Sequence, residues 1–116
     1  MKRLAKVAFA AALAVFAFNA NADSKIDKAE HECAFAAEIY DIKYGDGMGY
    51  LEIVYNAACR YKAVVPFLGD EIAKKFGLHE KYKDLINSID EPELLKAVRD
   101  GEVKGFAIHN RVKAGV

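Results

Sequence analysis

The chain has 116 residues, and its 17 Lys and Arg balance its 17 Asp and Glu, so the formal net charge is zero. That balance gives no basic footprint for nucleic acid or for an anionic membrane surface. The two cysteines form neither a C-x-x-C nor a C-x-x-C-H spacing, so neither a thioredoxin-like redox pair nor covalent haem attachment is indicated.

The chain opens MKRLAKVAFAAALAVFAFNANA. Lys2, Arg3 and Lys6 make a positive start, Val7 to Phe18 is an unbroken apolar run, and Ala20-Asn21-Ala22 is a small-x-small cleavage site. Residues 1–22 therefore read as a secretory signal peptide, with cleavage after Ala22. The apolar run is too short for a membrane span, so no stable membrane insertion is expected after cleavage. Cys33 follows Glu30-His31-Glu32 rather than an apolar lipobox, which argues against a lipidated terminus. A periplasmic location is expected. Three of the 17 cations lie in this leader, so residues 23–116 carry 14 against 17 acids, a net charge of −3. They are expected to form one small helical domain.

In chain order, the first helix is predicted over about Ser24 to Tyr44. Ser24 with Asp27 resembles a capping box, and Ile26, Ala29, Cys33, Ala37, Tyr40 and Tyr44 recur at spacings of three and four. A second helix is predicted over about Gly49 to Val65, where Leu51, Val54, Tyr55, Ala58, Tyr61 and Val65 keep the helical period and Pro66 ends it. A third is expected over about Phe67 to Phe76, with Lys74 and Lys75 in its last turn and Gly77 as a left-handed cap contacted by Leu78. A fourth covers about His79 to Ile89. A fifth opens at Asp-Glu-Pro-Glu, with Asp90 as N-cap, and ends at Gly101. In the remainder, Phe106 and Ile108 alternate like a short strand, while a sixth short helix fits equally well. Lys104, Arg111 and Lys113 read as the charges of a solvated tail.

Between the first two helices lies Tyr-Gly-Asp-Gly-Met-Gly-Tyr, residues 44–50. Asp46, within this stretch, is equidistant from Cys33 and Cys59. In an αα-hairpin, residues equidistant from the turn face one another. The two cysteines are thus expected to form a disulfide that staples the hairpin, worth roughly 3–4 kcal/mol through loop closure. A calcium loop does not fit, because Lys43 and Asp46 fall where a ligand and a glycine are needed. A phosphate cradle does not fit either, for want of a preceding strand and a following Gly-Lys-Ser/Thr. Gly45, Gly47 and Gly49 are expected to supply positive φ at the reversal.

The sequence offers little catalytic chemistry. Ser24 and Ser88 are the only serines after the leader, both at expected helix ends, and there is no threonine. His31, His79 and His109 have no second His or Cys at a helical ligand spacing. No cofactor and no metal are expected, and the chain is read as a non-enzyme. Five of six tyrosines fall in the hairpin. Tyr40, Tyr44 and Tyr55 can serve the core, whereas Tyr44, Tyr50 and Tyr61 are the candidate partner-binding residues, since tyrosine offers contact area with a polar tip.

The expected architecture is therefore all-α, a small bundle of five or six helices opening with a disulfide-stapled αα-hairpin. In size, leader and cysteine pair the chain is loosely similar to small periplasmic helical proteins such as acid-stress chaperones and immunity proteins against secreted toxins. The expected function is protein binding of inhibitor, immunity or stress-chaperone type. The alternative is a carrier of a small apolar ligand held in a cavity between helices.

Overall fold

A computed structural model of the protein describes residues 24–115, so the expected leader, residues 1–22, lies outside the described part. Among the described residues there are six helical segments and no strand: α1 (Ser24–Tyr44), α2 (Tyr50–Ala63), α3 (Val65–Leu68), α4 (Asp70–Lys75), α5 (Leu78–Asn87) and α6 (Pro92–Lys113). None of these helices is long and apolar enough to cross a membrane.

The hairpin of α1 and α2 forms as its spacing predicts. Ile26, Ala29, Cys33 and Ala37 are buried along one stripe of α1. Cys33 and Cys59 are both fully buried and are joined in a disulfide, with their Cα atoms 5.7 Å apart. In the turn, Gly47 and Gly49 have φ of 88° and 82°, values that favour glycine, whereas Gly45 does not have positive φ. Gly45 is required for a different reason. Its N–H donates to the Asp41 carbonyl at 2.7 Å, and a Cβ there would overlap Asp41. Asp46 accepts the Met48 N–H at 3.0 Å, so the loop's carboxylate closes the turn.

α2 is the centre of the molecule. Ala57, Ala58, Cys59 and Ala63 are small and buried, so helices approach α2 closely from two sides. α1 covers one side through the disulfide. α6 covers the other through Ala97, Gly101 and Gly105, spaced four apart on its buried face. A Cβ on Gly101 would lie 2.5 Å from the Tyr55 carbonyl oxygen, and one on Gly105 would overlap the Cys59 carbonyl oxygen.

This contact corrects two expectations. Gly101 does not end a helix, and residues 102–113 form neither a strand nor a separate short helix. They continue α6, which is 22 residues long in all. Phe106 and Ile108 alternate because two residues along a helix turn about 200°, which puts Ile108 inside and Phe106 outside. The cations of this stretch are exposed, and Arg111 also pairs with Glu32 of α1.

The remaining differences have local causes. Asp90 is not the N-cap of α6. Glu91 is, with extended ψ of 126°, because the residue before a proline is pushed out of the helical region. The Leu94 and Leu95 N–H groups both donate to its carbonyl. The expected third helix is two short ones, because Gly69 takes φ 88° and ψ 161° between them. Pro66 does not merely end α2 but sits in the first turn of α3, where its missing N–H is harmless. Gly77 takes the left-handed cap as expected, at φ 62°, and Leu78 after it is buried. Ser88 Oγ donates to the Leu85 carbonyl at 2.7 Å, a helix-end role.

Candidate functional site

A surface cleft of about 480 Å³ lies between α1 and α6. The two helices run antiparallel, since Tyr40 pairs with Asp100 and Glu32 with Arg111. From α1 the cleft takes Ile39, Tyr40, Lys43 and Tyr44; from α6 it takes Lys96, Asp100 and Lys104. The last three are spaced four apart, so they form one ridge of α6. Tyr55 of α2 closes the floor, with its ring stacked on Tyr40 at 4.4 Å between centroids.

Asp100 organises this cleft. Its Oδ2 accepts the Tyr40 hydroxyl at 2.7 Å and the Lys96 ammonium at 2.8 Å. The Lys96 hydrogen bond, and after it that of Tyr40, hold the carboxyl below its ordinary range. Burial, reinforced by the Asp100 hydrogen bond, pushes the Tyr40 hydroxyl up, so it stays protonated and donating. Lys96 and Lys43 also lie over the Tyr44 ring, 5.4 and 5.6 Å from its centroid.

A depressed carboxylate pKa stabilises the fold above the unfolded value and loses that contribution as pH falls through the native one. For Asp100 the contribution is complete above the ordinary value of 3.8 and disappears in stronger acid. Replacing Tyr40 with Phe is expected to cost about 1 kcal/mol near neutral pH. In urea titrations the difference from the native chain should narrow once Asp100 is protonated. A difference unchanged in acid would mean that the hydroxyl acts without the carboxylate.

The three candidate tyrosines do not share one patch. Tyr44 and Tyr50 line a small cleft with Asp46, Leu51 and Leu94 near the hairpin turn. Tyr44 is well exposed, and Tyr50 is half-buried. Tyr61 lies three turns further along α2, in another cleft with Pro66, Ala73 and His79. Its ring stacks on Tyr82 at 3.9 Å, and its hydroxyl lies 2.5 Å from His79 Nδ1, within a shared hydrogen bond. Tyr82 in turn donates to Glu102 at 2.5 Å. Tyr55 is a core residue, while Tyr40 is half-buried with its hydroxyl at the rim.

The histidines are dispersed. His31 lies beside Asp27 at the exposed start of α1, His79 binds Tyr61, and His109 donates from Nδ1 to the Ala63 carbonyl at 3.1 Å.

A second apolar face of α1 points to solvent. Phe35 is 66% exposed, Ile39 47% and Ile42 83%, and spacings of four and three put them on one side of the helix. Ile39 also lines the α1–α6 cleft, so stripe and cleft are continuous. The stripe is legible in the sequence as a second apolar repeat beside the one through Cys33. The Lys96–Asp100 pair is legible as an i, i+4 spacing, but its union with Tyr40, 60 residues away, is not.

No protein-family model matches the chain, and neither the curated proteins nor the solved structures give a match to it.

Proposed function

We propose that the chain is an exported, non-enzymatic protein-binding module that acts in the periplasm after removal of residues 1–22, and that its binding face is the outer side of α1. The observation that carries this reading is the exposed stripe of Phe35, Ile39 and Ile42. Three large apolar side chains on one helix face, open to water and bordered by a cleft, are what a protein surface retains for a partner. Tyr44, which lines the same cleft as Ile39, adds an aromatic ring with a polar tip. The buried disulfide suits an oxidising compartment and keeps α1 fixed on α2, so the face is preorganised. Inhibitors, immunity factors and stress chaperones are the classes this face serves. The carrier alternative draws less support, because the large cleft is open at the surface and rimmed by lysines rather than enclosed by apolar side chains.

The test is capture from a periplasmic extract with the full chain exported and processed in a bacterial host. A stoichiometric protein partner is expected. An Ile39→Glu/Ile42→Glu variant is expected to lose that partner at least tenfold in affinity. Its melting temperature should stay within about 3 °C of the parent, since both side chains are already solvated. Equal capture by parent and variant would remove the α1 face from the function.

A further inference from the structure

We propose that the α1–α6 cleft is the seat of an acidic amphipathic helix contributed by the partner. This rests on the reading of α1 as a protein-binding face and adds the chemistry of what docks there.

The first reason is shape. α1 and α6 are antiparallel neighbours that both rest on α2. A furrow between two such helices is where a four-helix bundle places its remaining helix. The ridge from Lys96 to Lys104 spans eight residues, about 12 Å of helix, and so offers about two turns of contact. The α1 stripe from Phe35 to Ile42 covers nearly the same length beside it, about 10 Å. An occupant touching both must extend beyond the cleft itself, which suits a helix better than a compact small molecule.

The second reason is charge. The charged groups lining the cleft are Lys43, Lys96, Lys104 and one acid, Asp100. Asp100 is already engaged by Tyr40 and Lys96. The cleft thus carries a local charge of +2, whereas residues 23–116 as a whole carry −3. This local reversal of sign lies next to the exposed apolar stripe. Lys96 and Lys104 are spread along the cleft rather than converging on one point, which matches carboxylates two turns apart on a helix. The complementary sequence has Leu or Ile at i+3 and i+4 to meet Ile39 and Tyr44. It has Asp or Glu at i and i+7 or i+8 to meet the lysines.

The test uses synthetic helical peptides of about 16 residues with one leucine face. One carries Glu at i and i+7 on its flanks, and its counterpart carries Lys at the same places. Fluorescence anisotropy of each is measured against the full processed chain, and amide NMR shifts locate the contact. The acidic peptide is expected to bind at least tenfold tighter than the basic one, with shifts centred on residues 36–44 and 96–104. A Lys43→Glu/Lys104→Glu variant, altering two exposed side chains, is expected to reverse the preference, and Lys96→Gln to weaken it. Equal binding of the two peptides, shifts elsewhere, or displacement of the acidic peptide by laurate at equal concentration would each overturn the proposal. So would self-association of the chain through this cleft.

The two readings fail separately. A natural partner lost on Ile39→Glu/Ile42→Glu but indifferent to Lys43→Glu/Lys104→Glu would leave the protein-binding face and remove its acidic helix. Preference for the acidic peptide without any natural partner would do the reverse.

Discussion

Gly105→Ala is expected to lower the melting temperature by about 10–20 °C, a loss of about 2–3 kcal/mol in a domain of this size. Intrinsic propensity points the other way. Alanine is favoured over glycine inside a helix by about 1 kcal/mol, and Gly105 lies within α6. The clash decides the sign. A Cβ at Gly105 would overlap the Cys59 carbonyl oxygen and lie 2.9 Å from the Lys62 Cβ. Both obstacles belong to α2 and sit at its backbone, so neither can rotate away as a flexible side-chain end would. α6 must therefore move outward, which loosens Ala97, Val98 and Ile108 along with it. Gly101→Ala meets the Tyr55 carbonyl in the same way, one turn earlier. The double substitution should cost less than the two single losses added together, because the first displacement relieves the second. Thermal melts followed by circular dichroism read this directly. A melting temperature that is unchanged or raised in Gly105→Ala would mean that propensity prevails and that α2 and α6 do not meet backbone to backbone.

Removing the disulfide by Cys33→Ala/Cys59→Ala is expected to have the other large effect. The bridge closes a loop of 26 residues. On the chain-entropy argument its loss releases about 3.5 kcal/mol of restriction in the unfolded chain. For a domain of this size that corresponds to a fall of about 15–25 °C in melting temperature. Both sulfurs are fully buried between α1 and α2, so an external thiolate has no path to them in the folded state. Reduction by dithiothreitol should accordingly follow the rate of opening and should accelerate in urea. Rapid reduction of the native chain, with little loss of stability, would show that the hairpin is held by its apolar stripe alone.

The two effects bear on the binding face differently. The disulfide anchors the middle of α1, whose outer side carries Phe35 and Ile39, each two residues on from the buried Cys33 and Ala37. The glycines set how far α6 stands from α2, and thereby the width of the cleft between α6 and α1. A loss of binding in either variant should therefore be interpreted only with its melting temperature alongside.

The hairpin is legible in the sequence because its information is local. A period of three and four through Ile26, Ala29, Cys33 and Ala37, glycines at a reversal, and two cysteines equidistant from Asp46 are all read along the chain. At Asp90 one local rule overrides another, since Pro92 already obliges Glu91 to be the extended cap. Gly101 and Gly105 illustrate something the chain does not announce. A glycine that ends a helix and one that admits a neighbouring backbone look the same in sequence, and only the position of α2 separates them.

The same division runs through the candidate site. Residue chemistry alone established an all-α chain with a stapled hairpin, because helical periodicity and cysteine symmetry are properties of short segments. The packing of α6 across α2 settled the rest. It brought Asp100 and Lys96 to Tyr40 and kept Tyr61 apart from Tyr44 and Tyr50. It also left one edge of α1 facing a basic cleft. Contacts between residues 60 positions apart depend on where two helices come to rest on a third, and that follows from how closely their backbones can approach rather than from any spacing within one of them.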